Sequence, residues 1–281
     1  MIIVMNRKIT LILISLSLIL LVASCTKKKS AQSAVTAHDA VSLTSVRMGD
    51  TIHFRLSNGD LCQELVELSA TYPKFYKDKK ATLTLQKLYI ATVLDGNDSL
   101  TIDEAVKEYA KNVLSMNLLD SAADAAALAE NDGVTDNIII STNITAAYHQ
   151  NGIITFCKEE MMKKNDVPAK KHTYFNFDLE TMTLVDLGMF NEEALGSVCD
   201  LLKAKLMQQN HVQSADALSE LGYFNIDNMG VTSNFCFEER GVTWSYLPQE
   251  LTADANLEPK ITIDYATLKQ WASEHSVLKR F

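Results

Sequence analysis

The chain has 281 residues, 47% of them hydrophobic and 22% charged, values that exclude a disordered, collagen-like or coiled-coil chain. With 26 basic and 35 acidic residues the net charge is −9. Setting aside Arg7, Lys8, Lys27, Lys28 and Lys29 near the N-terminus leaves 21 against 35, near −14, so nucleic acid and anionic lipid are poor partners for the body and a cationic partner is favoured.

In chain order, Arg7 and Lys8 precede an apolar run from Ile9 to Val22, the order of a secretory signal and too short for a comfortable membrane span. The run ends in Leu21-Val22-Ala23-Ser24-Cys25, which resembles the lipobox of bacterial lipoproteins. That resemblance implies cleavage after residue 24 and lipid on Cys25, anchoring the protein to a membrane without a transmembrane helix. Residues 25–45, rich in Lys, Ser, Ala and Thr, read as a flexible tether. Thr26-Lys27 lacks acidic character after the cysteine, which points to the outer membrane with the protein facing the periplasm.

In the body, Thr51 to Leu56 reads as a strand, followed by an Asn58-Gly59 turn and an apolar segment from Leu61 to Leu68. Lys79 to Val93 carries Ala81, Leu85, Leu88 and Thr92 at helical spacing. Thr101 and Glu104 form a capping box opening a second helix, and the Ala-rich stretch from Ser121 to Glu130 suggests another. Thr135–Tyr148 and Ile153–Met161 read as a hairpin closed by Asn151-Gly152. Lys163–Lys171 reads as a polar loop, and His172–Leu184 as two more strands around Glu180-Thr181. Asn191 caps a helix, Ser214 begins a shorter one, Val231–Phe237 and Val242–Tyr246 form a hairpin, Ile261–Ile263 is a last strand, and Asp264 caps a terminal helix. Helices and strands fall in separate blocks. The expected class is α+β, with helices packed on antiparallel sheets in two closely associated subdomains, residues 46–165 and 166–281.

Phe175-Asn176-Phe177-Asp178-Leu179, Asp186-Leu187 and Phe190 are similar to the corresponding stretch of RsiV-like extracytoplasmic domains. Those are the ectodomains of anti-sigma factors that sense lysozyme, and they also occur in bacterial lipoproteins. Phe235-x-Phe237, Gly241-Val242-x-Trp244-x-Tyr246 and Ile261-x-Ile263-x-Tyr265 resemble the family's closing hairpin, strand and helix. Tyr72-Pro73-x-Phe75 and Ile102-Asp103-Glu104-Ala105 resemble a small preceding domain that also stands before peptidoglycan deacetylase domains. The series runs over roughly residues 48–275. It departs from the family at Val167-Pro168-Ala169-Lys170 and at Gln249–Asp254, where two aromatics of the family's loop are replaced.

No Gly-x-Ser-x-Gly, HExxH or Gly-rich phosphate loop occurs, so no catalytic residue, metal or cofactor is expected. Cys62, Cys157, Cys199 and Cys236 are an even set in an exported protein; buried free thiols and disulfides both stay open, with three pairings. Tyr246, Glu250, Asp254 and Glu258 lie on or beside the Pro248–Pro259 loop and form the candidate ligand-binding set. The expectation is a non-catalytic envelope lipoprotein binding peptidoglycan or a protein, with a basic lysozyme-like protein implied by the resemblance. The alternatives are an enzyme acting on peptidoglycan or another glycan, and a structural envelope protein without a ligand.

Overall fold

The structure is a computed structural model describing residues 40–55, 61–117, 138–164, 167–254 and 256–281. Cys25, the signal and most of the tether, the Asn58-Gly59 turn and the Ser121–Glu130 helix lie outside the described residues.

Six strands make one large sheet in the order β1-β2-β3-β4-β5-β6: β1 (Ser42–Arg55), β2 (Leu61–Phe75), β3 (Ile138–Gln150), β4 (Ile153–Lys164), β5 (Val167–Asp178) and β6 (Thr183–Leu184). The expected antiparallel arrangement holds for every pair except β2 and β3, which run parallel. Between them the chain crosses one face of the sheet as α1 (Lys79–Thr92) and α2 (Ile102–Asn117), which returns it in the same direction. The sheet is therefore mixed, and the class is α+β. β1 begins at Ser42, inside the stretch read as tether.

β5 begins at Val167, where a polar loop was expected. Its first half lacks apolar alternation because cross-strand charges support it: Lys171 stands opposite Glu160 with a 3.0 Å ion pair, and Lys170 lies 3.5 Å from Glu159. β4 and β5 pair continuously from Ile153–Asp178 to Lys164–Val167, so the large sheet crosses the expected boundary between residues 165 and 166.

Alternation along β4 divides the molecule into two cores. Ile154 and Phe156 face α1 and α2, with Tyr89 of α1 edge-on to Phe156 at 4.9 Å. Ile153 faces the other way and joins the core of a second lobe. That lobe contains α3 (Leu195–Gln209), α4 (Ala215–Glu220) and a small antiparallel sheet, followed by the short helix α5 (Tyr265–Leu268). The small sheet has the order β7 (Phe235–Phe237), β8 (Gly241–Ser245), β9 (Lys260–Asp264). Val198, Leu202 and Leu206 of α3 pack with Trp244, Ile261 and Ile263.

Local signals in the sequence are realised as bonds. The Asn151-Gly152 turn has positive φ at both residues, 51° and 72°, as a tight hairpin requires. Thr101 and Glu104 close the capping box, with the Thr101 amide donating to Glu104 Oε2 at 3.0 Å. Thr101→Ala is expected to lower stability by about 1 kcal/mol, measured as a shift in the urea midpoint. Ser214 and Asp264 accept amide protons from Ala217 and Thr267, but Asn191 makes no side-chain cap bond and leads first into a 3-10 turn, Glu192–Ala194.

Candidate functional site

The loop from Tyr246 to Pro259 connects β8 and β9, and it is pinned at both ends. Tyr246 is buried and donates its hydroxyl proton to the Gly230 carbonyl at 2.8 Å. The Glu258 side chain is 8% exposed and accepts from the His172 amide at 2.7 Å, with His172 Nδ1 at 2.6 Å. These two residues are turned inward, so of the four expected on a binding surface they present none of their polar atoms to it. Burying an unpaired carboxylate is costly, which is why Glu258 arrives with its partner.

Glu250 and Asp254 are exposed. Each also steadies the loop: Glu250 accepts the Leu247 amide at 2.8 Å and Asp254 the Asn256 amide at 2.8 Å. The middle of the loop is fixed by an isolated bridge between Tyr223 and Thr252 and by the Phe224 amide donating to the Leu251 carbonyl at 2.9 Å. This contact brings in residues the sequence reading missed. Leu221 is 56% exposed and Phe224 40% exposed. A single leucine at a helix end gives no sequence signal, and the pairing of residues 223–224 with 251–252 spans a distance along the chain that periodicity does not report. The result is that the turn carrying Leu221 and Phe224 is bonded through residues 223–224 to the loop that carries the exposed Glu250 and Asp254.

A second polar assembly lies where the lobes meet. Strand alternation places Cys157 and Glu159 of β4, and His172 and Tyr174 of β5, on the face of the large sheet opposite α1 and α2. His172 Nε2 lies 3.0 Å from Glu159 Oε2 while Nδ1 meets Glu258, so the imidazole bridges two carboxylates from different lobes. Lys260 donates to the Tyr174 hydroxyl at 3.2 Å and lies 3.9 Å from Glu258. Tyr174 in turn stands opposite Cys157 across the β4–β5 pair. Asn234 closes the same edge of β5, accepting from the Tyr174 amide at 3.0 Å and donating to the His172 carbonyl at 2.9 Å. These side chains satisfy backbone groups that β6 is too short to reach.

The chemistry of this assembly is that of a joint between lobes. Burial pushes the Cys157 thiol up to about 11 and the Cys236 thiol up to about 12, with Lys260 pulling each back only in part. Both stay protonated at neutral pH and are poor nucleophiles. Burial likewise raises Tyr174. Cys157, Cys199 and Cys236 are free thiols in this structure, and the Cys62 side chain lies outside the described set. Among the described residues no group of three His, Cys, Asp or Glu side chains is placed to hold a metal ion.

Asp178 ends β5 in a third polar site. Arg280 forks onto it at 2.7 and 2.8 Å, the Glu180 amide donates at 2.9 Å and the Thr181 hydroxyl at 2.9 Å. The sequence suggests only a strand-end residue there; the partner lies 102 positions away.

The sequence matches no family model and no curated protein. Two solved structures share the architecture. A DUF3298-family protein from Bacteroides fragilis superposes with a TM-score of 0.68 at 18% identity, over 86% of this chain and 98% of its own. A DUF3298-family protein from Pseudomonas aeruginosa gives 0.55 at 12% identity, over 86% and 97%. At these identities the likeness is one of fold: this chain has the α+β architecture of DUF3298-family proteins.

Proposed function

We propose that this chain is a lipid-anchored envelope protein whose α+β body is a non-catalytic binding module for a basic protein, with lysozyme-like proteins the first candidates. The observation that carries the reading is the exposed pair Leu221 and Phe224 on a turn whose backbone bonds to the loop carrying the exposed Glu250 and Asp254. Exposed apolar side chains on a turn bonded to a carboxylate-bearing loop suit a cationic partner: the apolar anchors supply affinity and the charges steer the encounter. The excess of acidic residues in the body acts in the same sense. The ordered motif series resembling RsiV-like domains points the same way. Where that family places aromatics in the loop itself, the neighbouring turn supplies Phe224 here.

The lipobox-like Leu21–Cys25 supports attachment through Cys25, with the outer membrane and a periplasm-facing body as the expected location. No helix among the described residues is long and apolar enough to cross a membrane.

The test is calorimetric titration of the body with lysozyme at two salt concentrations. The body should start at residue 40, because β1 begins at Ser42. Saturable binding that weakens with salt is the expected result. Glu250→Lys with Asp254→Lys should weaken it about tenfold, roughly 1.4 kcal/mol, and Phe224→Ser by at least as much. Neither heat nor complex formation at either salt concentration would remove lysozyme as the ligand.

A further inference from the structure

The geometry points to Cys157 and Cys236 as a disulfide site that joins the two lobes. Cys157 projects from β4 beside Tyr174, its cross-strand neighbour on β5. Cys236 lies two residues after Asn234, so their side chains share a face of the extended chain, and that face meets β5: Asn234 bonds Tyr174 and His172. The Asn176 amide, on the Cys157 face, donates to the Phe235 carbonyl at 2.7 Å, which sets β7 against the β4–β5 surface at the level of Thr155, the next residue along that face from Cys157. Both thiols are buried, both sense the Lys260 ammonium, and Cys236 also senses Cys157.

Register excludes the other pairings that spacing alone leaves open. The level of Cys157 on β4 is that of Thr145 on β3, and through the parallel β2–β3 register that of Thr71 on β2. Cys62 lies nine positions earlier on β2, about 30 Å along the strand, beyond the roughly 7 Å Cα separation a disulfide spans. Cys199 sits on α3, on the helix side of the small sheet, with its thiol 2.7 Å from the Met229 carbonyl. Cys236 stands opposite Thr243 on the other side.

The oxidant is a dithiol oxidoreductase in its disulfide form, as an exported protein meets during folding. One cysteine thiolate attacks the oxidant's disulfide, giving a mixed disulfide and releasing one oxidant thiol. The second cysteine thiolate then displaces the other oxidant sulfur. The chain loses two hydrogens, the oxidant leaves as a dithiol, and the new S–S bond links β4 to β7. Because burial keeps both thiols protonated in the folded chain, the exchange belongs to the folding chain rather than to the finished surface.

The experiment is peptide mapping by mass spectrometry, without reduction, of the full chain recovered from an oxidising periplasm and trapped with iodoacetamide under denaturing conditions. A cross-linked peptide pair containing residues 157 and 236, with Cys199 alkylated, is the expected result. Dithiothreitol should then lower the urea midpoint of the wild type and of Cys199→Ser, but not of Cys236→Ser. Alkylation of both Cys157 and Cys236, or a cross-link from either to Cys62 or Cys199, overturns the proposal. The mapping is done on the wild type, so a variant that fails to fold leaves the test intact.

Discussion

Arg280→Met is expected to remove about 3 kcal/mol of stability at pH 7, because it leaves the Asp178 carboxylate buried without its cation. The Asp178 side chain is only 4% exposed, and Arg280 supplies two of its four hydrogen bonds. The same bonds set a pH dependence. Burial alone would raise the Asp178 carboxyl, but the bonds from Arg280, the Glu180 amide and Thr181 overcome that and hold it below the ordinary carboxylate range. A lowered folded-state value means that the stabilisation is present above the unfolded value, near 3.9, and is lost as pH falls through the folded one. Urea unfolding followed by tryptophan fluorescence at pH 7 and at pH 3 should show the wild type losing more between the two than Arg280→Met does. An unchanged midpoint for the variant at pH 7 would show that the pair contributes nothing. The stretch that carries Arg280 is itself part of the core: Val277 and Leu278 are buried, and Phe281 stacks on Tyr265 at 4.0 Å.

What the sequence made legible was local. Capping at Thr101 and Asp264 and the Asn151-Gly152 turn depend on residues within a few positions of one another, and each formed as expected. The parallel β2–β3 pair was not legible, because strand direction depends on where the intervening helices pack rather than on the strands' own pattern. The first half of β5 was misread for a different reason. Its stability comes from charges on β4, and a run of lysines without those carboxylates does look like a loop.

The candidate site divided along the same line. That a long loop should carry exposed carboxylates was readable from composition, and Glu250 and Asp254 are on the surface. That Tyr246 and Glu258 turn inward depended on Gly230 and His172, 16 and 86 positions away. The motif Phe175-Asn176-Phe177-Asp178 shows how several such distant demands compress into four residues. Asn176 joins Thr155 and the Phe235 carbonyl, Phe177 fills the core under α1 and α2, and Asp178 holds Arg280.

Gly241→Ala should be the most damaging single methyl group in the second lobe, by about 3 kcal/mol or more. A Cβ there would run into the backbone carbonyl of Ile263 on β9, a neighbour that cannot swing aside as a side chain would. Gly241 is paired with Asp264 at the start of the β8–β9 ladder, so relief requires the two strands to separate. The strands that would part carry Val242, Trp244, Ile261 and Ile263, all fully buried in one core. Separation there opens space that neighbouring side chains cannot refill, and cavity cost adds to the lost pairing. Gly196 is the control: it lies in α3 with open space around its Cα, so Gly196→Ala should stabilise by roughly 0.5–1 kcal/mol through helix propensity. Urea midpoints of the two variants should therefore move in opposite directions. If Gly241→Ala unfolded at the wild-type midpoint, close backbone approach would not be the reason a glycine opens the Gly-Val-x-Trp-x-Tyr strand, and the β8–β9 contact would be far softer than its burial implies.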